Sequence, residues 1–511
     1  MAHLGSRRRR ALALPVGLAL TASLGFLPTS AATAAPVDET SPAAVSTSGE
    51  KLSYVVNVKR GYGVAKSVKK AISKAGGTVV YAYDQIGVIV VHSQNPDFAE
   101  TIRKTRGVES AGATRTAPLE SAGDTAIEAE QPLSAQEAEE AAAKAEDGQD
   151  PLEPLQWDLP AIKADQAHKK TLGSSRVTVA VIDTGVDDTH PDLAPNFDRK
   201  ASVSCVGGVP NTADGAWRPG PDESDHGTHV AGTIAAAKND YGITGVAPGV
   251  KVSGIKVSQP DGFFYTEAVV CGFVWAAEHG VDVTNNSYYT DPWLFNCKND
   301  EDQKALVEAV SRAARYAERK GAVNVAAAGN SRMDLAADEL TDTTSPNDTT
   351  PTERIINPRE CLDIPTQIPG VVTVSALGAK DLKASYSNYG NGVIDISAPG
   401  GDRTQYQPPE APATNGLILS TLPGGGFGYK AGTSMASPHV AGVAALIKSK
   451  HPYATPGIVK TLLSLQADDK ACTNPYDINA DGTVDAVCEG STFKNGFYGS
   501  GIVDALDAVR W

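Results

Sequence analysis

Beyond its first 35 residues the chain has no apolar run of the roughly 18 residues that a membrane-crossing helix needs, so no membrane anchor is expected in its body. It has no excess of positive charge: 45 Lys and Arg stand against 60 Asp and Glu, a formal net charge of -15. That balance argues against a nucleic-acid partner, which a basic surface would attract. No two of the cysteines, Cys205, Cys271, Cys297, Cys361, Cys472 and Cys488, are spaced as CxxC, which makes them a poor metal site. None lies in the first third of the chain. Residues 120–153 have few large apolar side chains and carry eleven acidic groups and one lysine, so they are read as an exposed linker. A short Ala/Glu helix around Glu137–Glu146 is the rival.

What is present begins with a basic cluster, Arg7 to Arg10, followed by the apolar stretch Ala11–Leu27 and the small-residue run Ala31–Ala35. This order is that of a signal peptide cleaved after Ala34 or Ala35, which implies a secreted, extracellular protein. In an exported chain an even number of cysteines points to disulfides, and proximity suggests the pair Cys472 with Cys488.

Residues 51–116 read as a small α+β unit: strands at Leu52–Val58, Thr78–Tyr83 and Gly87–His92, helices at Val64–Ala75 and Asp97–Arg106. A unit this small gains stability from a partner. From Trp157 onward, short and nearly continuous apolar runs (Val177–Ile182, Val250–Val257, Val281–Val283, Val323–Ala327, Val371–Val374) alternate with segments of helical length such as Thr266–His279 and Asp302–Arg319. The pattern predicts an α/β fold, a mostly parallel sheet with helices on both faces. The expected organisation is therefore 1–35 signal peptide, 36–119 α+β region, 120–156 acidic linker and maturation region, and 157–511 main domain.

Three segments carry chemistry: Val179–Gly185 (VAVIDTG), Asp225–Gly232 (DHGTHVAG) and Gly432–Gly442 (GTSMASPHVAG). They supply Asp183, a histidine and Ser434, the residue types that amide hydrolysis by a hydroxyl requires. Chemistry alone leaves His226 and His229 open, although their spacing and the absence of a glutamate between them argue against an HExxH-type metal pair. A fourth segment, Ala326–Asn330 (AAAGN), follows an expected strand end.

The order and wording of these segments resemble the subtilisin-like serine protease family over residues 176–511. The resemblance implies a triad of Asp183, His226 and Ser434, with Asn330 as oxyanion donor and His229 as a packed helix residue. It implies a serine endopeptidase acting on proteins or peptides, monomeric when mature, with no cofactor for catalysis. The family's inhibitory propeptide is similar to the 51–116 unit, which would then act as intramolecular chaperone and inhibitor of its own enzyme. The substrate wall would comprise Ser287, Tyr288, Tyr289, Ala327, Ala328 and Gly329. Tyr289 stands where many members have glycine and precedes an unusual segment, Thr290–Cys297 (TDPWLFNC), so broad apolar specificity does not carry over simply. Residues 331–369 form a polar, Pro- and Thr-rich insertion.

By the same resemblance Asp192, Asn239 and the carbonyls of Tyr241 and Ile243 form a structural calcium site, with an ordinary turn as alternative. A second candidate, Asp477, Asn479, Asp481 and Asp485, begins like an EF-hand loop, but Cys488 stands where a bidentate glutamate is required. An Asx-rich turn inside a Cys472–Cys488 disulfide is its alternative. A binding module with the same fold and no activity is the rival for the whole chain.

Overall fold

The computed structural model describes residues 49–119, 131–405, 415–478 and 481–510; the expected signal peptide, Asn479 and the first part of the acidic segment lie outside them. The main sheet has seven parallel strands, in the order Ile396–Pro399, Val372–Leu377, Val323–Ala327, Val283–Asn286, Thr178–Asp183, Lys251–Lys256 and Val203–Ser204. Every residue of Thr178–Asp183 is buried. Its side chains alternate: Val179 and Val181 join the core formed with helices His226–Ala235 and Thr433–Lys450, while Ala180 and Ile182 join the core on the other face. A strand shared by two cores is apolar on both faces, which is why Val179–Ile182 reads as a continuous apolar run. Burial of each Val or Ile contributes roughly 1.5–3 kcal/mol.

The second face is covered by helices Thr266–Glu278 and Glu301–Lys320. The Asp300 side chain caps the latter, accepting from the N–H of Asp302 (2.9 Å) and Gln303 (3.0 Å), and Gly321 at φ 109° ends it. A side chain would strain that left-handed position.

The N-terminal unit is a four-stranded antiparallel sheet, ordered Gly77–Tyr83, Val88–Ser93, Leu52–Val58 and Val108–Ala113, with helices Tyr62–Lys74 and Phe98–Arg103. The last strand is absent from the sequence reading. Its sequence, VESAGA, is made small by contact: a Cβ on Gly112 would stand 2.4 Å from the Asp302 carbonyl oxygen. One sheet face packs on its own helices, while Val55, Tyr83, Ile86, Val88 and Val90 share a core with the two helices of the main domain. Asn57 donates to the Ala305 carbonyl (2.8 Å), and buried Arg115 pairs with Glu267 (2.6 Å).

From 131 onward the acidic segment is not an open linker; the rival, a short Ala/Glu helix, is found there, at Ala135–Ala142. Gln131–Pro132 pairs with Gly428 and Tyr429, and Ser134 and Glu137 form a reciprocal capping box that starts helix Ala135–Ala142. Ala141 and Leu152 are buried against Ala236, Ile243, Leu419 and Tyr429. Alanines bury well in a close-packed seam, and the acidic count hid them.

All six cysteines are paired, as Cys205–Cys271, Cys297–Cys361 and Cys472–Cys488. The 331–369 insertion carries a short ladder, Leu340–Asp342 with Arg354–Ile356, and its far end, Cys361–Leu362, pairs with Asn296–Cys297.

Candidate active site

Asp183 ends the strand Thr178–Asp183, and His226 begins the helix that packs on it. Two contacts bring them together. Gly227 N–H donates to the Thr184 hydroxyl (2.9 Å), and the helix approaches so closely that a Cβ on Gly227 would stand 2.3 Å from the Gly185 carbonyl oxygen. His226 Nδ1 then lies 2.8 Å from Asp183 Oδ1, which also accepts from the Thr184 N–H at 2.7 Å. The carboxylate is wholly buried, so it holds the ring in one orientation.

His229 points elsewhere. It is fully buried, its Nε2 lies 3.1 Å from the Gly428 carbonyl oxygen, and burial, then the charge of Lys430, pushes its pKa down to about 3. Such a ring stays neutral at neutral pH, with a single N–H, and takes up no second proton.

Ser434 is the second residue of Thr433–Lys450, where backbone N–H groups have no intrahelical acceptor. Its hydroxyl donates to the Ser287 carbonyl (3.2 Å), and the Ser287 hydroxyl donates to the Ser434 carbonyl (3.1 Å). Pro438 is the sixth residue of this helix and has no N–H to give the Ser434 carbonyl; the Ser287 hydroxyl bonds that carbonyl instead.

Asn330 follows strand Val323–Ala327 through Gly329, whose φ is 95°. Its Oδ1 accepts from both the N–H (2.9 Å) and the hydroxyl (2.8 Å) of Thr433. With the amide oxygen so held, the Nδ2 hydrogens face away from Thr433. Thr433 and Asn388, which braces the turn by accepting from Ser331 and Met333 and donating to Ala328, went unnoticed in the sequence, since each matters only through contacts with distant segments.

Ser434, His226 and Asn330 line one cavity of about 500 Å³, together with Ser287, Tyr288, Tyr289, Ala327 and Gly329. Ala328 stands apart: it is fully buried, and its backbone bonds to Val374 and Asn388. Tyr288 stacks on Phe264 with ring centroids 4.7 Å apart, and the Tyr289 hydroxyl accepts from Asn347 at 2.8 Å. The ring of Tyr289 thus forms a wall of the cavity and does not swing clear of it.

Of the calcium candidates, the first set is brought together. Asp192 is buried, Oδ2 accepts from the Ile243 N–H (3.0 Å), and Oδ1 has no hydrogen-bond partner among the described residues. Burial, together with the charge of Asp150, raises its pKa to about 7. An orphaned buried carboxylate oxygen fits a hard cation. No cluster of three His, Cys, Asp or Glu side chains lies there or elsewhere among the described residues, so the other donors would be amide and backbone oxygens. The second set does not fit. Asp477 accepts from the N–H of Asp481 and Gly482, Asp481 from Thr483 and Asp485 from Ile478, as in the hydrogen-bonded turn weighed as its alternative, and Asn479 lies outside the described residues.

Residues 174–487 match the model of the subtilase family. The chain is 31% identical to Subtilisin BL of Lederbergia lenta over 354 residues, 69% of this chain and 98% of that protein. It is 34% identical to Subtilisin NAT of Bacillus subtilis subsp. natto over 311 residues, 61% of this chain and 65% of the relative. In fold it is similar to the epidermin leader peptide processing serine protease of Staphylococcus aureus, with TM-score 0.64 and 24% identity over 90% of this chain and 98% of that one. It is also similar to fervidolysin of Fervidobacterium pennivorans, with TM-score 0.58 and 24% identity over 91% of this chain and 62% of the other.

Proposed function

The chain belongs to the subtilase family of serine endopeptidases, and we propose that it hydrolyses peptide bonds with Ser434 as nucleophile, His226 as general base and acid, and Asp183 as the orienting carboxylate. The observation that carries this reading is the 2.8 Å contact of His226 Nδ1 with buried Asp183, at the wall of the cavity that Ser434 and Asn330 also line. With Nδ1–H given to Asp183, Nε2 keeps its lone pair for the Ser434 proton. Oγ bonds to the scissile carbonyl carbon, and the oxyanion accepts from the Ser434 N–H and from Asn330 Nδ2. Collapse expels the amine with the proton from Nε2, and water hydrolyses the ester by the same groups in reverse. One such oxyanion donor is worth about 3 kcal/mol in the transition state. No Lewis acid or cofactor is needed. The extended substrate lies along the Ser287–Tyr289 edge, so main-chain bonds hold it and pockets select it.

The 51–116 unit serves as propeptide, chaperone and inhibitor of an exported enzyme that is monomeric when mature. Its shared core supports this, as do the Thr116 and Ala117 N–H groups, which bond to Asp348 at 2.8 and 3.0 Å beside Asn347 of the cavity wall. No described helix is long and apolar enough to cross a membrane. A structural calcium would be held by Asp192, Asn239 and the carbonyls of Tyr241 and Ile243 and would supply stability alone.

A fluorophosphonate should label Ser434 in the mature protein and abolish peptide cleavage together. Folded protein that neither takes the label nor cleaves peptides would be an inactive binding module.

A further inference from the structure

Two segments stood out in the sequence without a role: Thr290–Cys297, and the end of the 331–369 insertion. The Cys297–Cys361 disulfide and the two-residue ladder beside it join them, and Thr290 N–H donates to the Ile364 carbonyl at 2.8 Å. Each segment delivers one carboxylate to the cavity beside Ser434, Asp291 from the first and Asp363 from the second.

Asp363 is 2% exposed, and its Oδ1 has no hydrogen-bond partner among the described residues. Its Oδ2 lies 3.6 Å from where a Cβ on Gly329 would stand, directly below the residue that precedes Asn330. Asp291 is 4% exposed and accepts from the Phe264 N–H (2.5 Å) and the Asn347 amide (2.7 Å). Burial pushes both carboxyls up, Asp291 to about 7 and Asp363 well above its usual range, and no cation is among the groups that act on them. The lysine at the cavity, Lys430, is already paired with Asp225 at 3.0 Å.

A buried carboxyl oxygen without a donor, as on Asp363, is costly and in a folded protein calls for a partner. Ser434, Asn330, Gly329 and Asp363 line one cavity, so a residue whose acyl carbonyl is held by the Ser434 N–H and Asn330 shares that cavity with Asp363. We propose that this pocket takes a cationic side chain, lysine or arginine, on the residue immediately N-terminal to the scissile bond, with Asp363 at the floor as its counter-ion and Asp291 reinforcing the field. The assignment rests on the protease reading above. Arginine can engage one carboxylate through two N–H groups and still reach a second acceptor such as the Tyr289 hydroxyl; lysine offers one ammonium.

The test is kcat/KM of the mature enzyme on matched peptides that differ solely at that position, with Arg, Lys, Phe, Leu or Glu. Arg and Lys should exceed Phe by ~10²-fold or more, as expected where a site left with unpaired polar groups rejects the wrong ligand. Benzamidine should inhibit competitively, and Asp363→Asn should collapse the Arg-to-Phe ratio by ~10-fold or more. The wild-type rank order needs no variant to fold. Cleavage after Phe or Leu as fast as after Arg, by enzyme whose Ser434 takes the fluorophosphonate, overturns the pocket assignment alone. Absence of both cleavage and labelling overturns the assignment and the protease reading together.

Discussion

Two histidines three residues apart on one helix are given different chemistry by burial. His226 faces the cavity and Asp183, whereas His229 is enclosed and neutral, its pKa lowered to about 3. His226→Ala should lower kcat by ~10⁴-fold or more, because the base and nucleophile act as a unit. Asn330→Ala should cost ~10²–10³-fold, with KM little changed, because its amide meets charge that develops in the transition state. His229→Gln should leave the acid limb of the kcat/KM profile in place. It should act on stability instead. A histidine whose folded pKa is depressed binds its proton in the unfolded chain first, so stability falls as pH drops from about 6.5 toward 3. Replacing His229 should flatten that loss in urea titrations of inhibited enzyme; a shifted acid limb in kinetics would return the proton-carrying role to His229.

Elements whose identity is set locally were legible in the sequence, and those set by distant contacts were not. The strand ending in Asp183 and the helices at Thr266–Glu278 and Glu301–Lys320 follow from apolar runs, period and caps. The strand Val108–Ala113 and the acidic side chains of the pocket do not: their residues are small or charged because of what another segment brings to them; the Ala/Glu helix is visible as a rival to the linker, but its docking is not. Asp363 has no motif around it, and it acquires meaning when a disulfide brings its segment to Thr290–Cys297. The loop Asn239–Ile243 falls between the two cases, since its turn residues are visible while the unpartnered oxygen of Asp192 is not. Calcium at 100 times its Kd should stabilise inhibited enzyme by about 2.7 kcal/mol through this loop, with no change in kcat. Asp192→Ala should remove that response, whereas Asp481→Ala should leave it whole. Thermal unfolding with saturating calcium and with chelator measures both, and equal melting temperatures in the wild type would remove the calcium site.

For the whole molecule, the proposed pocket and the proposed maturation constrain each other. The N-terminal unit is tied to the main domain by buried Arg115, which pairs with Glu267 at 2.6 Å and lies 3.8 Å above the Tyr265 ring, so this arginine is not free to enter the cavity. Between Arg115 and Lys163 the sequence has a single basic residue, Lys144, exposed just after helix Ala135–Ala142. An extended, accessible segment enters a protease groove far more readily than a packed one. A pocket that selects a cation therefore directs self-processing to the Lys144–Ala145 bond, cut by a second molecule, because the helix before it is docked beside Tyr429. The cut leaves Asp150 and Leu152 in the mature chain, where Asp150 accepts from the Asp240 N–H at 2.7 Å and Leu152 N–H donates to the Gly242 carbonyl at 2.8 Å. N-terminal sequencing of enzyme matured by itself should read Ala145 first, and Lys144→Ala should delay maturation ~10-fold or more, the discrimination expected of the pocket on any substrate. Ser434→Ala precursor should stay whole unless active enzyme is added. A self-matured chain beginning between Ser121 and Gln131, where every bond follows an uncharged or acidic residue, would overturn both this route and the cationic pocket.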